Sequence, residues 1–112
     1  MPLLLIESNQ SVDDLQLLLT RMSATVSKAL GKPESYVMVK YLHNSAMLFA
    51  GTNDPLAYLE LKSIGLPETE TGPLSKQLTT LVSELLNIPS DRVYIEFTGV
   101  ARHLWGWKGS TF

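Results

Sequence analysis

The sequence contains no cysteine. Disulfides, thiolate metal sites and cysteine nucleophiles are therefore excluded together, and the redox environment is left undetermined. Histidine is nearly as scarce. His43 and His103 are the only two, far apart and without a carboxylate at ligand spacing, so no metal site is expected. Charge of one sign is also in short supply: nine basic residues against eleven acidic ones give a formal charge of −2. The basic residues form no stripe, which argues against nucleic acid as a partner. Long apolar runs are missing too. Leu3 to Ile6 stops at Glu7 and has no basic leader, so it is too short for a signal peptide or a bilayer span. The expected location is the cytoplasm, with no membrane partner. A glycine-rich phosphate loop is lacking as well, because Gly106-Trp107-Lys108-Gly109 has the wrong spacing for one.

What is present is a chain of 112 residues, 45% hydrophobic, enough for one compact domain over residues 1–112. Leu3 to Ile6 reads as a short apolar strand. Ser11 reads as a helix N-cap with Asp14 acidic in the first turn. Leu15, Leu18, Leu19, Met22, Val26, Ala29 and Leu30 then follow the three-and-four spacing of a buried stripe, and Gly31 with Pro33 ends the helix after about five turns. Val37 to Leu42 and Met47 to Gly51 are β-like, separated by His43-Asn44-Ser45, a polar connection suited to a hairpin. After a turn at Thr52 to Pro55, Ala57 to Ile64 alternates, with Leu59 and Leu61 on one face and Glu60 and Lys62 on the other. Met22, Met38 and Met47 read as core fillers.

The second half repeats the first. Gly72-Pro73 opens a helix with proline at its first position, Leu74, Leu78, Leu81, Val82 and Leu85 form its stripe, and Asn87 with Pro89 closes it. Arg92 to Gly99 is the next strand. A shift of 56 residues, half of the 112, superposes Leu3 and Leu5 on Leu59 and Leu61, Met22 and Val26 on Leu78 and Val82, Pro33 on Pro89, and Val39 on Ile95. Two strand-helix-strand units of equal internal spacing imply an internal duplication. The economical arrangement is an α/β fold of the two-layer α+β kind, one sheet with both helices on the same face. Leu3, Leu5, Leu59, Leu61, Val39 and Ile95 are too many for the uncovered face to be half wet, so an oligomer packing sheet against sheet is expected.

Pro2 is a candidate general base. Once Met1 is removed, as expected in the mature form, Pro2 presents a secondary amine, which can accept a proton when held uncharged in an apolar pocket. Around this start lie Leu30-Gly31-Lys32-Pro33-Glu34-Ser35-Tyr36-Val37, Met47-Leu48-Phe49-Ala50-Gly51, Ser63-Ile64-Gly65, Pro89-Ser90-Asp91-Arg92-Val93-Tyr94-Ile95 and Gly106-Trp107-Lys108-Gly109-Ser110-Thr111-Phe112. With Met1-Pro2 these motifs, in this order and near this spacing, resemble the macrophage migration inhibitory factor family of the tautomerase superfamily. The resemblance covers essentially the whole chain. It implies the tautomerase fold, a mixed four-stranded sheet with two helices on one face, assembled as a homotrimer with active sites at subunit interfaces. It also implies keto-enol tautomerisation of phenylpyruvate-like 2-oxo acids, an isomerase reaction needing no cofactor.

By the same resemblance, Pro2 is the base and acid that shuttles the proton. Lys32 matches the lysine at the substrate's polar end, the backbone N–H of Ile64 a donor to substrate oxygen, and Tyr36 and Phe112 the aromatic pocket walls. Tyr94 matches a residue that reaches the proline nitrogen from the neighbouring subunit. Three positions depart from the better-known members. Glu96 stands where they carry a neutral asparagine; a carboxylate beside Pro2 would favour the protonated amine unless it pairs with Lys32 or Arg102. Trp105 replaces a smaller aliphatic and should narrow the pocket mouth. Leu56-Ala57-Tyr58-Leu59 occupies the place of a Cys-x-x-Cys pair, so thiol oxidoreductase chemistry is excluded.

Two other functions stay open. One is a superfamily hydratase, dehalogenase or decarboxylase of small unsaturated acids, which calls for paired arginines and a water-activating carboxylate; Glu96 could be the carboxylate, but Arg21, Arg92 and Arg102 are the only arginines. The other is a cytokine-like protein that binds a receptor through its trimer surface, consistent with the signal-free secretion of animal members.

Overall fold

Strand β1 (Leu3–Ser8) is the axis of the fold, with a neighbour on each side. The computed structural model describes residues 1–112. β1 runs parallel to β2 (Met38–His43) and antiparallel to β3 (Ala57–Ile64), and β3 runs parallel to β4 (Val93–Val100), giving a mixed four-stranded sheet in the order β2-β1-β3-β4. Helices α1 (Leu15–Leu30) and α2 (Thr71–Leu86) supply the crossovers. The chain ends in a short hairpin of β5 (Gly106–Trp107) and β6 (Ser110–Thr111).

One face of the sheet carries the core. Leu4, Ile6, Leu59 and Leu61 are fully buried against Leu18, Met22 and Val26 of α1 and Leu74, Leu78 and Val82 of α2. Each such side chain contributes about 1.5–3 kcal/mol by leaving water. The helices end alike: Gly31 (φ 63°) and Asn87 (φ 55°) both take the left-handed turn that stops a helix, where glycine and asparagine are the residues best tolerated. Pro33 and Pro89 follow, then one helical turn, Glu34–Tyr36 or Ser90–Arg92, then a strand. Lys32 N–H donates to the Ser27 carbonyl at 3.0 Å, which fixes the exit of α1.

Several details differ from the sequence reading. The N-cap of α1 is Asp14, whose Oδ1 accepts from Leu17 N–H at 3.0 Å, and Ser11 lies outside the helix; Leu15 is consequently 42% exposed. α2 begins at Thr71, so Pro73 occupies its third position, still within the first turn where no backbone donor is needed. Leu86 is buried in preference to Leu85. No hairpin follows β2. Its only paired edge belongs to β1, and the chain is led away by Asn44, whose N–H donates to the Ser8 carbonyl at 2.8 Å and whose Nδ2 donates to Glu7 Oε2 at 2.9 Å. Phe49 and Thr52 instead bond to each other across Ala50-Gly51. Met38 points to the open face and is 63% exposed, and Met47 is half-buried, so only Met22 fills the core.

The open face also needs redrawing. Leu59, Leu61, Val39 and Ile95 lie beneath the helices, leaving Leu3 and Leu5 as the only members of the expected set on the other side. The reason is a one-residue slip. Leu4, Ile6 and Ser8 match Leu59, Leu61 and Ser63 at a shift of 55, while the helices and second strands keep 56; in a strand, a slip of one reverses the faces. The open face therefore mixes Leu3, Leu5, Met38 and Ile64 with Lys40, Tyr58, Glu60, Lys62, Tyr94 and Glu96.

Candidate active site beside the first strand

Pro2 is fully buried, immediately ahead of β1 on the core side of the sheet, and its carbonyl accepts from Met38 N–H at 3.0 Å. Two elements are thus sewn together at this point. Beside it opens a cleft of about 380 Å³ lined by Met1, Pro2, Tyr36, Met38, Trp105, Trp107 and Phe112 among others. Its wall is an aromatic cluster: the Trp107 and Phe112 rings stack, 5.5 Å apart and 5° from parallel, and Tyr36 meets their edges at 5.5 and 6.4 Å. Such contacts add about 0.5–1.5 kcal/mol per pair beyond burial. Positive φ at Lys108 (53°) and Gly109 (76°) makes the tight turn that brings Trp107 back over the cleft, and Phe112 N–H donates to the Trp105 carbonyl at 3.2 Å.

The electrostatics of the cleft are positive. The Met1 amine lies at its mouth, held below its ordinary value first by burial, then by the Lys32 and Arg102 cations. Neither cation has an acidic partner, since the sole ion pair in the chain joins Lys62 to Glu60 at 3.6 Å. Ile64 ends β3; extending the antiparallel register by two places sets it opposite Met1. Pro2, Tyr36, Trp105 and Phe112 therefore share one cleft, with Lys32 and Ile64 close by.

Tyr94 and Glu96 are elsewhere in the chain. Both project from the edge strand β4 onto the open face, Tyr94 66% exposed and packed on Phe49 at 4.5 Å. Glu96 pairs with neither Lys32 nor Arg102: its Oε2 accepts from the Tyr58 hydroxyl at 2.7 Å, and that hydroxyl also lies 3.0 Å from Glu60 Oε1. The carboxylates, Glu96 foremost, hold the Tyr58 phenol well above the usual tyrosine range. The choice of partner follows from register, because Tyr58, Glu60 and Glu96 meet on adjacent strands. Trp107, which stacks against Phe112 and meets Tyr36 edge-on, was not singled out in the sequence; the signal was the Trp-Lys-Gly-Ser turn, which reverses the chain next to Tyr36.

Arg92 has a structural use. Its guanidinium donates to the carbonyls of Phe49, Pro55 and Asp54 at 3.0 Å and of Thr52 at 3.2 Å, and lies 5.4 Å from the Phe49 ring centre.

This arrangement of a duplicated strand-helix-strand sheet with a buried proline at an aromatic cleft defines a class, the tautomerase-like two-layer α+β proteins. Comparison with known proteins is specific within it. The family description macrophage migration inhibitory factor (MIF) matches residues 1–112. A macrophage migration inhibitory factor homologue of Brugia malayi is 43% identical over 96 residues, covering 84% of this chain and 83% of its own. The macrophage migration inhibitory factor of Mus musculus is 39% identical over 95 residues, with 84% and 83% covered. Among solved structures, the homologue from Prochlorococcus marinus superposes with a TM-score of 0.93 at 40% identity, covering 98% of both chains. The Trichinella spiralis protein gives 0.93 at 31% identity, with 98% and 99% covered. The chain belongs to the macrophage migration inhibitory factor family.

Proposed function

We propose that this chain is a cofactor-independent keto-enol tautomerase acting on phenylpyruvate-like 2-oxo acids, as a cytoplasmic homotrimer. The observation that carries the reading is the burial of Pro2 at an aromatic cleft. With Met1 removed, the nitrogen exposed there is a secondary amine, one residue from the Met1 amine that burial, then the Lys32 and Arg102 cations, hold below its ordinary value. In its uncharged form it takes a proton from the carbon beside the substrate carbonyl, and the resulting prolinium delivers that proton to the carbonyl oxygen, which restores the free amine; ketonisation runs the same two transfers in reverse. Lys32 holds the substrate's polar end and the Ile64 N–H donates to its oxygen. Tyr36, Trp105, Trp107 and Phe112 enclose the aromatic tail. Tyr94 and Glu96, standing on the open sheet face, reach the site of a neighbouring protomer in the trimer. The hydratase-type alternative has weaker support, because Arg92 is fully engaged with four carbonyls and Arg21 lies exposed on α1.

The test is direct. Protein of verified mass, lacking Met1, should accelerate ketonisation of enol-phenylpyruvate. A variant extended by one residue before Pro2, whose nitrogen is then an amide, should lose about 10²–10⁴-fold in rate. Equal rates for the two preparations rule out Pro2 as the base.

A further inference from the structure

One row of the sheet carries opposite charges at its two ends. Register sets Lys40 on β2 opposite Leu5, Leu5 opposite Glu60 on β3, and Glu60 opposite Glu96 on β4, all on the open face. Lys40 is exposed and has no ion-pair partner. At the other end two carboxylates stand side by side, and the one ammonium near them, Lys62, lies 3.6 Å from Glu60. Glu96 is exposed too, and only its Oε2 is engaged, by the Tyr58 hydroxyl at 2.7 Å. β2 and β4 are the outer strands, so Lys40 and Glu96 are about 14 Å apart along the row, too far for side chains that stand off the sheet to meet. Neither charge can satisfy the other within one chain. The same face exposes Met38, Leu42 and Tyr94 beside Leu3 and Leu5.

We propose that the open sheet face docks on a second copy of this chain with Lys40 of one copy paired to Glu96 of the next, an ion pair that fixes the register of the assembly. The occupant follows from complementarity. A face that is cationic at one edge and anionic at the other, with exposed apolar side chains around both, fits the opposite edge of another such face. This pairing rests on the homotrimer proposed above for its setting, and supplies the contact that holds it. Its effect extends to the cleft, because Met38 and Leu3, which line it, form the adjacent row of the sheet. A Glu96 seated on Lys40 therefore stands one row from the cleft, its charge balanced by an ammonium. Lys40 is a positioning residue in this arrangement, acting on the site only through Glu96 of the second copy.

Sedimentation velocity over a concentration series reads the assembly without turnover. Lys40→Glu and Glu96→Lys, each at an exposed position, should raise the concentration of half-dissociation about tenfold or more, since like charges then face each other across the contact. The double reversal restores an opposite pair and should return to within about threefold of the parent. Lys40→Gln and Glu96→Gln create no repulsion; each should weaken assembly about threefold, with no further loss when combined. Added salt should loosen the parent and leave the doubly neutral variant unmoved. Circular dichroism checks that every variant is folded. A parent protein that is monomeric at all concentrations, single reversals that assemble as the parent does, or a double reversal no better than the single ones overturns the proposal. A double reversal that restores assembly in a protein inert toward enol-phenylpyruvate keeps the interface and removes the tautomerase reading.

Discussion

The two halves of the molecule build the same frame and finish it differently. In one, Pro2 precedes a central strand, Tyr36 closes the turn before β2, and Trp107 arrives on a tight hairpin. In the other, Ala57 begins β3, Arg92 takes the place of Tyr36 at a shift of 56, and Phe49 arrives on a turn whose Ala50 and Gly51 have φ of 52° and 78°, against 53° and 76° at Lys108 and Gly109. Tyr36 meets the Trp107 ring at 5.5 Å, and Arg92 lies 5.4 Å from the Phe49 ring. Each place has a hollow, about 380 Å³ in the first and about 440 Å³ in the second. The hollow beside Ala57 is lined wholly by apolar and aromatic residues, with no terminal amine, and its turn is pinned by the Arg92 guanidinium. Duplication supplied two equivalent seats that differ at the head of the strand, Pro2 in one and Ala57 in the other.

The comparison can be broken at several points. Arg92→Ala should have the largest effect on stability, about 1–3 kcal/mol, by leaving the part-buried Phe49 and Pro55 carbonyls without their donor and freeing the turn; urea unfolding would read it, and a loss under 0.5 kcal/mol would mean the turn holds itself. Tyr36→Ala, at the equivalent seat, should cost less stability and fall mainly on the reaction. Trp107→Ala removes one face of the stack and should raise KM for an aryl substrate about fivefold, with little change for a short aliphatic 2-oxo acid. Tyr58→Phe should cost about 1 kcal/mol at neutral pH by leaving Glu60 and Glu96 apposed without their shared donor. The phenol is raised in the folded state, so its contribution is complete below the unfolded tyrosine value of about 10 and fades as pH rises above it. An alkaline absorbance titration should therefore find one tyrosine ionising after the others in the parent protein and none so delayed in Tyr58→Phe.

Much of this was legible in the sequence where a local pattern and the tertiary packing agree. Ala57 to Ile64 alternates strictly and forms a strand over those residues, because one face meets both helices and the other faces out. Gly31 and Asn87 close their helices where the pattern stops. Met47 to Gly51 has strand-like residues, but it turns back on itself through the Phe49–Thr52 pairing and joins neither free edge of the sheet, so composition alone misassigned it. The faces of β1 were misassigned because period-two patterns in two leucine runs align equally well one residue apart, and only Ser8 and Ser63, both buried, mark the true alignment. Of the site, Pro2, Tyr36, Trp105 and Phe112 come together, whereas the Tyr58 hydroxyl bond that occupies Glu96 depends on strand register that no single segment encodes.

The central claim is that Pro2 offers an uncharged amine beside an aromatic, cation-flanked cleft. A nitrogen NMR titration of proline-labelled protein, after intact mass has verified loss of Met1, tests it most directly. The Pro2 nitrogen should titrate below the ordinary α-amino value of about 8, so that its base form prevails at neutral pH. Titration above that value, or a nitrogen that does not titrate because it is acylated, would contradict the account.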